Sequence, residues 1–325
     1  MDIVFFGSGA FGVPTLAQIA STHILRAVIT QPDRPAGRGG VLTPTPIAAW
    51  AAENAPQVPV HKPEKVNVAD VVEQVRSYPA DAWVVIAFGQ KLGKSLLDGK
   101  FAINLHASLL PRWRGAAPIN AAILGGDTVT GNSVITLADK MDAGLVLGQS
   151  KRDIAAELTA GGLHDLLAAD GSALVLDVLT GRQGGTLTPK SQNESLVTLA
   201  GKFSKTDGYV DFSRPAEECR RRVHGLTPWP GVTVQFRGAP LKLLRVMSRT
   251  VVPTVSDGLV CGAVPGEIVN ANEGVVACGD KTALTLLEVQ PANGKPMTWA
   301  EFARGRQPKA GELLVGSVGG RGGAA

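Results

Sequence analysis

The chain has 325 residues, 44% of them hydrophobic and 18% charged, enough for two domains that each bury a core. Its formal net charge of +4 is unevenly spread: residues 1–200 hold 16 Lys and Arg against 17 Asp and Glu, whereas 201–325 hold 16 against 11. No stretch of about 18 uncharged apolar residues occurs, which excludes a membrane-spanning helix, and Cys219, Cys261 and Cys278 lack the spacing of a disulfide framework or a zinc site.

The opening MDIVFFGSGAFG has neither the basic start nor the long apolar run of a signal peptide, and reads as a first strand. A soluble, cytoplasmic protein without a metal site is therefore expected; the sequence does not reveal oligomeric state, and a monomer is taken as the working expectation. Apolar, β-rich runs at 3–6, 25–29, 82–87 and 101–105 alternate with helix-like stretches at 14–20 and 47–54. Continuous apolar strands such as WVVIAF suit a sheet covered on both faces. The expectation is a doubly wound parallel α/β domain over 1–180, completed by a strand pair at 133–136 and 146–150 and an amphipathic helix at 162–179.

Residues 181–195, GRQGGTLTPKSQNES, are rich in Gly, Thr, Ser and Gln without apolar periodicity, and a linker is expected over 181–201. A second domain over 202–314 starts with a short helix at 215–224. Short strand candidates follow at 232–237, 241–247, 266–270, 274–277 and 283–289, the pattern of a small β-barrel. Residues 315–325 carry too little apolar side chain to bury and are expected to be disordered. The basic surplus falls in this second part, so either a polyanionic partner or a solvated basic face is consistent with it.

Gly7, Gly9 and Gly12 spell GSGAFG directly after the first strand, and Asp33 follows the second. Alone, this arrangement suggests a dinucleotide site and a dehydrogenase. The same glycines equally suit any close strand–helix crossing, and Asp33 sits in QPDRPAGRGG, an exposed loop rather than a clean βαβ connection.

The densest cluster of reactive side chains is FAINLHASLLPRWRGAAPI. Asn104 and His106 are two apart, so in an extended strand both leave the same face, at the sheet edge where ligands bind in parallel folds. Asp142, in the turn MDAG, is the acid that could orient the imidazole and favour its charged form. The plainer alternative is a buried histidine bonded to backbone, a strand-end cap and an ordinary turn residue.

NLHASLLPRWRGAAPI closely resembles the signature of the folate-dependent formyltransferases. Within that superfamily, TQPDRPAGRG resembles the loop of the branch acting on methionyl-tRNA, and GKFSKTDGYVDF with LTPWPG resembles the start of its C-terminal domain. The resemblance implies a Rossmann-like catalytic domain joined to an open β-barrel of OB type. It implies formyl transfer from 10-formyltetrahydrofolate to the methionine amino group on initiator tRNA, with Asn104, His106 and Asp142 catalytic. It further implies that Ser108, Leu109, Leu110 and Pro111 line the folate site, that the loop of Phe88, Gly89 and Gln90 receives the pterin through backbone groups, and that GSGAFG is a structural turn. Two departures stand out: the family usually continues the aspartate motif as GLDTG, where this chain has GLVLG, and it usually carries two lysines where this chain has Gly40 and Val41.

Formyl transfer moves an acyl group between nitrogens, so an oxyanion must be stabilised and protons managed. Asn104 is assigned as the oxyanion donor, with His106 as second donor and proton handler. Arg34 and Arg38 near the active site, and Lys202, Lys205, Arg220 and Arg221 on the second domain, are assigned to tRNA phosphates. The rival readings are a formyltransferase acting on glycinamide ribonucleotide or an amino sugar, a non-catalytic RNA-binding protein, and a nicotinamide dehydrogenase.

Overall fold

The structure, a computed structural model, describes residues 1–37, 39–249 and 263–316. The first strands and helices are β1 (Asp2–Gly7), α1 (Val13–Thr22), β2 (Ile24–Ile29), β3 (Arg34–Ala36), β4 (Val41–Thr43), α2 (Pro46–Asn54), β5 (Val60–His61) and α3 (Ala69–Arg76). Next come β6 (Ala82–Ile86), α4 (Lys94–Leu97), β7 (Ala102–His106), β8 (Arg114–Gly115), α5 (Pro118–Gly125), β9 (Val129–Thr136), β10 (Val146–Asp153), α6 (Ala160–Gln183) and β11 (Leu199–Ala200). The chain then forms α7 (Ala216–Gly225), β12 (Val232–Phe236), β13 (Ala239–Arg249), β14 (Ile268–Asn270), β15 (Val275–Ala277), β16 (Ala283–Pro291), β17 (Met297–Thr298), α8 (Trp299–Arg306) and β18 (Leu314–Gly316).

Packing divides the chain into two compact units. The first comprises Met1–Gly115, Val129–Asp153 and His164–Leu199, and the second comprises Ala116–Thr128, Ile154–Leu163 and the chain from Ala200 onward. A boundary placed only at a 181–201 linker therefore misses two segments of the first 180 residues that pack with the second unit.

The first unit is built on a seven-stranded sheet of order β10-β9-β7-β6-β1-β2-β5. Strands β5, β2, β1, β6 and β7 are parallel, as their buried apolar runs require. The β6 sequence AWVVI is buried throughout, and Trp83 packs against Phe6 with ring centroids 5.1 Å apart. The expected all-parallel sheet is corrected at one edge: β9 runs antiparallel to β7, and β10 antiparallel to β9. The reason is that the segment after β7 supplies no helix to carry the chain back across this sheet. Its helix α5 packs instead on α7 in the second unit, with Asn120 Nδ2 donating to the Gly225 carbonyl at 2.7 Å, so the chain re-enters from the end at which β7 left.

The GSGAFG segment is a packed turn at the point where strand order reverses, between β1 and β6. The Ser8 and Gly9 amides donate to the Ala87 carbonyl at 3.2 and 3.3 Å. A Cβ on Gly7 would lie 2.6 Å from the Phe5 ring, and one on Gly9 would lie 3.2 Å from the Ala87 Cβ. Close approach of backbones accounts for these two glycines without any ligand.

In the second unit the antiparallel order is β14-β15-β16-β13-β12-β18, with β17 beside β16. The sheet curls until its ends are bridged: the Ile268 amide donates to the Glu312 carbonyl and the Leu314 amide to the Gly266 carbonyl, both at 2.8 Å. Helix α7 closes the core with Cys219 and Val223, and with Leu226 just past its end, against Val246, Leu284 and Cys278. Helix α8 begins with a capping box of Thr298 and Glu301. The tail expected to be disordered from 315 is corrected at its start, where Val315 and Gly316 pair with Gln235 and Val234 in β18; Cys261 and residues 317–325 lie outside the described residues.

Candidate active site

Strand β7 places Asn104 opposite Val85 of β6 and Ile135 of β9, and His106 opposite Ser133. Period-two geometry gives Asn104 and His106 one face, at the end of β7. His106 is buried, 6% exposed, while Asn104 is half-buried. The Asn104 amide engages none of the described residues, so its N–H groups are available to a ligand.

The imidazole is held from both sides. His106 Nε2 lies 2.9 Å from the Trp113 carbonyl, and His106 Nδ1 lies 3.6 Å from Asp142 Oδ2. A carbonyl only accepts, so Nε2 carries the hydrogen and Nδ1 is the nitrogen free to exchange a proton. At 3.6 Å the carboxylate acts on the ring through charge rather than through a made hydrogen bond. Asp142 Oδ2 also accepts from the Gly115 amide at 2.9 Å. Residues 113–115 therefore grip both members of the pair, the histidine by a carbonyl and the aspartate by an amide.

The Asp142 turn is tightly determined despite its departure from GLDTG. Asp142 adopts φ +52°, a left-handed conformation uncommon for a non-glycine residue. A Cβ at Gly144 would collide with the Thr136 carbonyl. The Thr136 amide donates to the Leu145 carbonyl and the Leu145 amide to Thr136 Oγ1, both at 2.9 Å. The altered residues follow these contacts and leave the carboxylate beside His106.

The Ser108 to Pro111 turn is knitted to the sheet. Ser108 Oγ donates to the Arg112 carbonyl at 2.6 Å, Ser133 Oγ donates to the Ser108 carbonyl at 2.6 Å, and Gln149 Nε2 donates to the Leu110 carbonyl at 3.0 Å. Ser108 and Leu110 are buried, whereas Leu109 and Pro111 remain half-buried. In the neighbouring loop the Phe88 ring packs edge-on against Phe6, and its carbonyl accepts from Ser8 Oγ at 3.0 Å and Gln31 Nε2 at 3.1 Å. The Gln90 side chain is committed to Val66 and Pro63 backbone at 2.8 and 3.1 Å. What this loop can offer a ligand is backbone at Gly89, which is exposed at φ +86°.

The basic residues differ in availability. Lys202 and Lys205 are exposed, and Arg34, on the exposed hairpin β3–β4, pairs with Glu64 at 2.6 Å. Val41 and Leu42 are 68% and 65% exposed on that hairpin. Arg38 lies outside the described residues. Arg220 is turned inward: two of its nitrogens reach Glu217, a third reaches the Ala156 carbonyl, and its side chain is only 12% exposed. Arg221 also donates to Glu217, at 2.9 Å. These guanidiniums hold the Glu217 carboxyl at about 2, Arg220 contributing most.

Sequence reasoning singled out Asn104, His106 and Asp142, which the structure brings together, but missed the groups that hold them. Trp113 and Gly115 act through backbone, which no side-chain pattern reveals. Gln192, which donates to the Asp142 carbonyl at 2.8 Å, lies in the stretch read as linker.

Family models match both parts of the chain: residues 1–179 match "Formyl transferase" and residues 202–307 match "Formyl transferase, C-terminal domain". A methionyl-tRNA formyltransferase of Magnetococcus marinus is 38% identical over 317 residues, covering 96% of this chain and 97% of that protein. The Bacillus subtilis methionyl-tRNA formyltransferase is likewise 38% identical over 317 residues, with the same coverage. The chain belongs to the methionyl-tRNA formyltransferase family. Solved structures of more distant formyltransferases share the fold. A sugar 3N-formyl transferase crystallised with dTDP and 5-N-formyl-THF has a TM-score of 0.66 at 13% identity, covering 91% of this chain and 99% of that one. An N-formyltransferase from Helicobacter canadensis, in complex with folinic acid and dTDP-3-aminofucose, has a TM-score of 0.64 at 13% identity, covering 87% and 98%. No helix among the described residues is long and apolar enough to cross a membrane.

Proposed function

We infer that this chain transfers the formyl group of 10-formyltetrahydrofolate to the amino group of methionine on initiator tRNA. The observation that carries this reading is the combination of the Asn104, His106 and Asp142 arrangement with 38% identity to methionyl-tRNA formyltransferases along nearly the whole chain. The sugar-directed alternative rests on solved structures at 13% identity, which speak for the fold alone.

The folate co-substrate supplies an activated formyl group on nitrogen. The residues present fit it: the Asn104 amide is uncommitted, Gly89 offers exposed backbone beside the sheet edge, and Leu109 and Pro111 offer half-buried apolar surface. Asn104 donates to the oxygen that gains charge as the methionyl amine adds to the formyl carbon. Neutral His106 takes the proton lost by that amine at Nδ1, and the Asp142 carboxylate stabilises the imidazolium so formed. The imidazolium returns the proton to the departing nitrogen as the tetrahedral species collapses. His106 therefore donates only while charged, because its other N–H is held by Trp113.

We further propose that the second unit, as an OB-type barrel with α7, carries the tRNA, chiefly through Lys202 and Lys205. Arg34 and Arg38 serve the acceptor end, and Arg221 contributes at the rim of α7. The reaction takes place in the cytoplasm, on a monomer, without a metal ion. Acceptor preference tests the reading: with 10-formyltetrahydrofolate as donor, charged initiator tRNA should be formylated, while glycinamide ribonucleotide and an amino-sugar nucleotide should not. Preference for either small amine would replace this function with the superfamily alternative.

A further inference from the structure

We propose that Gln192 is a positioning residue for the formyl transfer, holding the Asp142 peptide so that its carboxylate stays opposite His106. The proposal rests on the reading of Asp142 given above. Every polar group of the Gln192 side chain is in use. Its Nε2 donates to the Asp142 and Gly144 carbonyls, both at 2.8 Å, and its Oε1 accepts from Arg114 Nε at 3.0 Å and Arg114 Nη2 at 2.8 Å. The orientation of the amide is fixed by its partners, since a guanidinium only donates and a carbonyl only accepts.

Arg114 ties this clamp to the catalytic pair. It is 2% exposed, and it stands between Trp113, whose carbonyl holds the His106 ring, and Gly115, whose amide holds Asp142 Oδ2. Its Nη2 also reaches Glu194 Oε1 at 2.7 Å, and the other Glu194 oxygen accepts from Lys140 Nζ at 2.8 Å, two residues before Asp142. One connected set of hydrogen bonds thus runs from the histidine's backbone anchor to both sides of the aspartate turn. Trp113 and Asp142 are both left-handed non-glycine residues, at φ +59° and +52°. Such conformations persist where surrounding bonds over-determine them, and the Gln192 amide supplies two of those bonds at the Asp142 turn. The Gln192 amide, with both donors and its acceptor engaged, also specifies one arrangement of the turn rather than several.

The test is a cycle of Gln192→Glu, Asp142→Asn and the double variant, measuring kcat, KM for charged initiator tRNA and Tm. Glutamate keeps the length and the acceptor for Arg114 but removes the NH2 group that holds both carbonyls. Gln192→Glu should lower kcat by roughly 10-fold to 100-fold, the size of effect a small misplacement produces, with KM little changed. In the Asp142→Asn background the same change should cost no more than about 3-fold, because the two act as one unit. Independent, multiplicative losses would overturn the proposal, as would wild-type turnover in Gln192→Glu when Asp142→Asn is impaired. Wild-type turnover in Asp142→Asn would instead remove the reading of Asp142, and this proposal with it. Should Gln192→Glu lower Tm enough to obscure its rates, Gln192→Met, matched in length and without the amide, decides the matter when assayed well below its Tm. Full turnover in Gln192→Met overturns the assignment.

Discussion

His106 and Asp142 face one another at 3.6 Å, while the opposite ring nitrogen of His106 rests 2.9 Å from the Trp113 carbonyl. That pairing divides the histidine's two nitrogens between an anchor and a working position, and sets what substitution should do. Asp142→Asn keeps the size and the bond from Gly115 but removes the charge beside Nδ1. Turnover should fall, because the charge that stabilises the imidazolium formed during transfer is gone. An unchanged rate would reduce Asp142 to a turn residue.

Asn104→Ala and His106→Ala should each lower turnover by roughly 100-fold to 10,000-fold, the range for a positioned oxyanion or proton-transfer group. Folding should be affected unequally. Asn104 makes no side-chain bond to the described residues, so its variant should keep the wild-type Tm, whereas His106→Ala removes the bond between the ring and the Trp113 carbonyl and should lower it. Steady-state kinetics and thermal unfolding on the same preparations check both statements.

Much of the first unit was legible from its residues. The runs IVFF, AVI, WVVI and AINL are largely apolar, and a sheet covered on both faces is the environment that dictates such runs. The small parts were not. Helix α3 is a short, half-polar segment whose larger apolar side chains are Val71, Val72 and Val75, and β5 is two residues long. The allegiance of α5 was hidden for a different reason. Only its first two residues, Pro118 and Ile119, belong to the site signature, and Ala121, Ala122 and Ile123 are buried in a unit otherwise formed more than thirty residues downstream, a long-range choice that no local period encodes. Cutting the chain near 195 would strip α5 of α7. Gln192 was hidden likewise: its composition is that of a linker, and its function comes from partners 48 to 78 residues away.

The basic residues of the second unit should separate into two classes. Lys202→Ala and Lys205→Ala should weaken tRNA binding and reduce the slope of log affinity against log salt by about one unit for each phosphate no longer neutralised. Arg220→Ala should leave that slope nearly unchanged and lower Tm by roughly 2–8 °C, because its guanidinium serves Glu217 and the Ala156 carbonyl inside the fold. Binding measured at several salt concentrations, alongside thermal unfolding, distinguishes the two.

His224 gives the second unit a sensitivity to acid. It is 1% exposed, lies 3.1 Å from the Ala156 carbonyl through Nδ1, and accepts from the Val246 amide at 3.1 Å through Nε2. Burial, aided by the charge of Arg220, pushes its pKa down to about 4. The unfolded chain binds this proton near the ordinary value of about 6.5. Between those limits the unfolded state holds more protons, so stability is lost as pH falls from about 6.5 toward 4. Tm measured across that window should decline, and His224→Gln, which takes up no proton there, should flatten the decline.

The most direct measurement is a single-turnover reaction of excess enzyme with charged initiator tRNA and 10-formyltetrahydrofolate, run in parallel with wild type and His106→Ala. Wild type should convert the methionyl amine to the formamide rapidly, and the variant should do so at least roughly 100-fold more slowly while still binding the tRNA. Rapid formylation by His106→Ala, or wild type that binds charged tRNA and leaves its amine unmodified, would contradict the assignment of formyl transfer to this site.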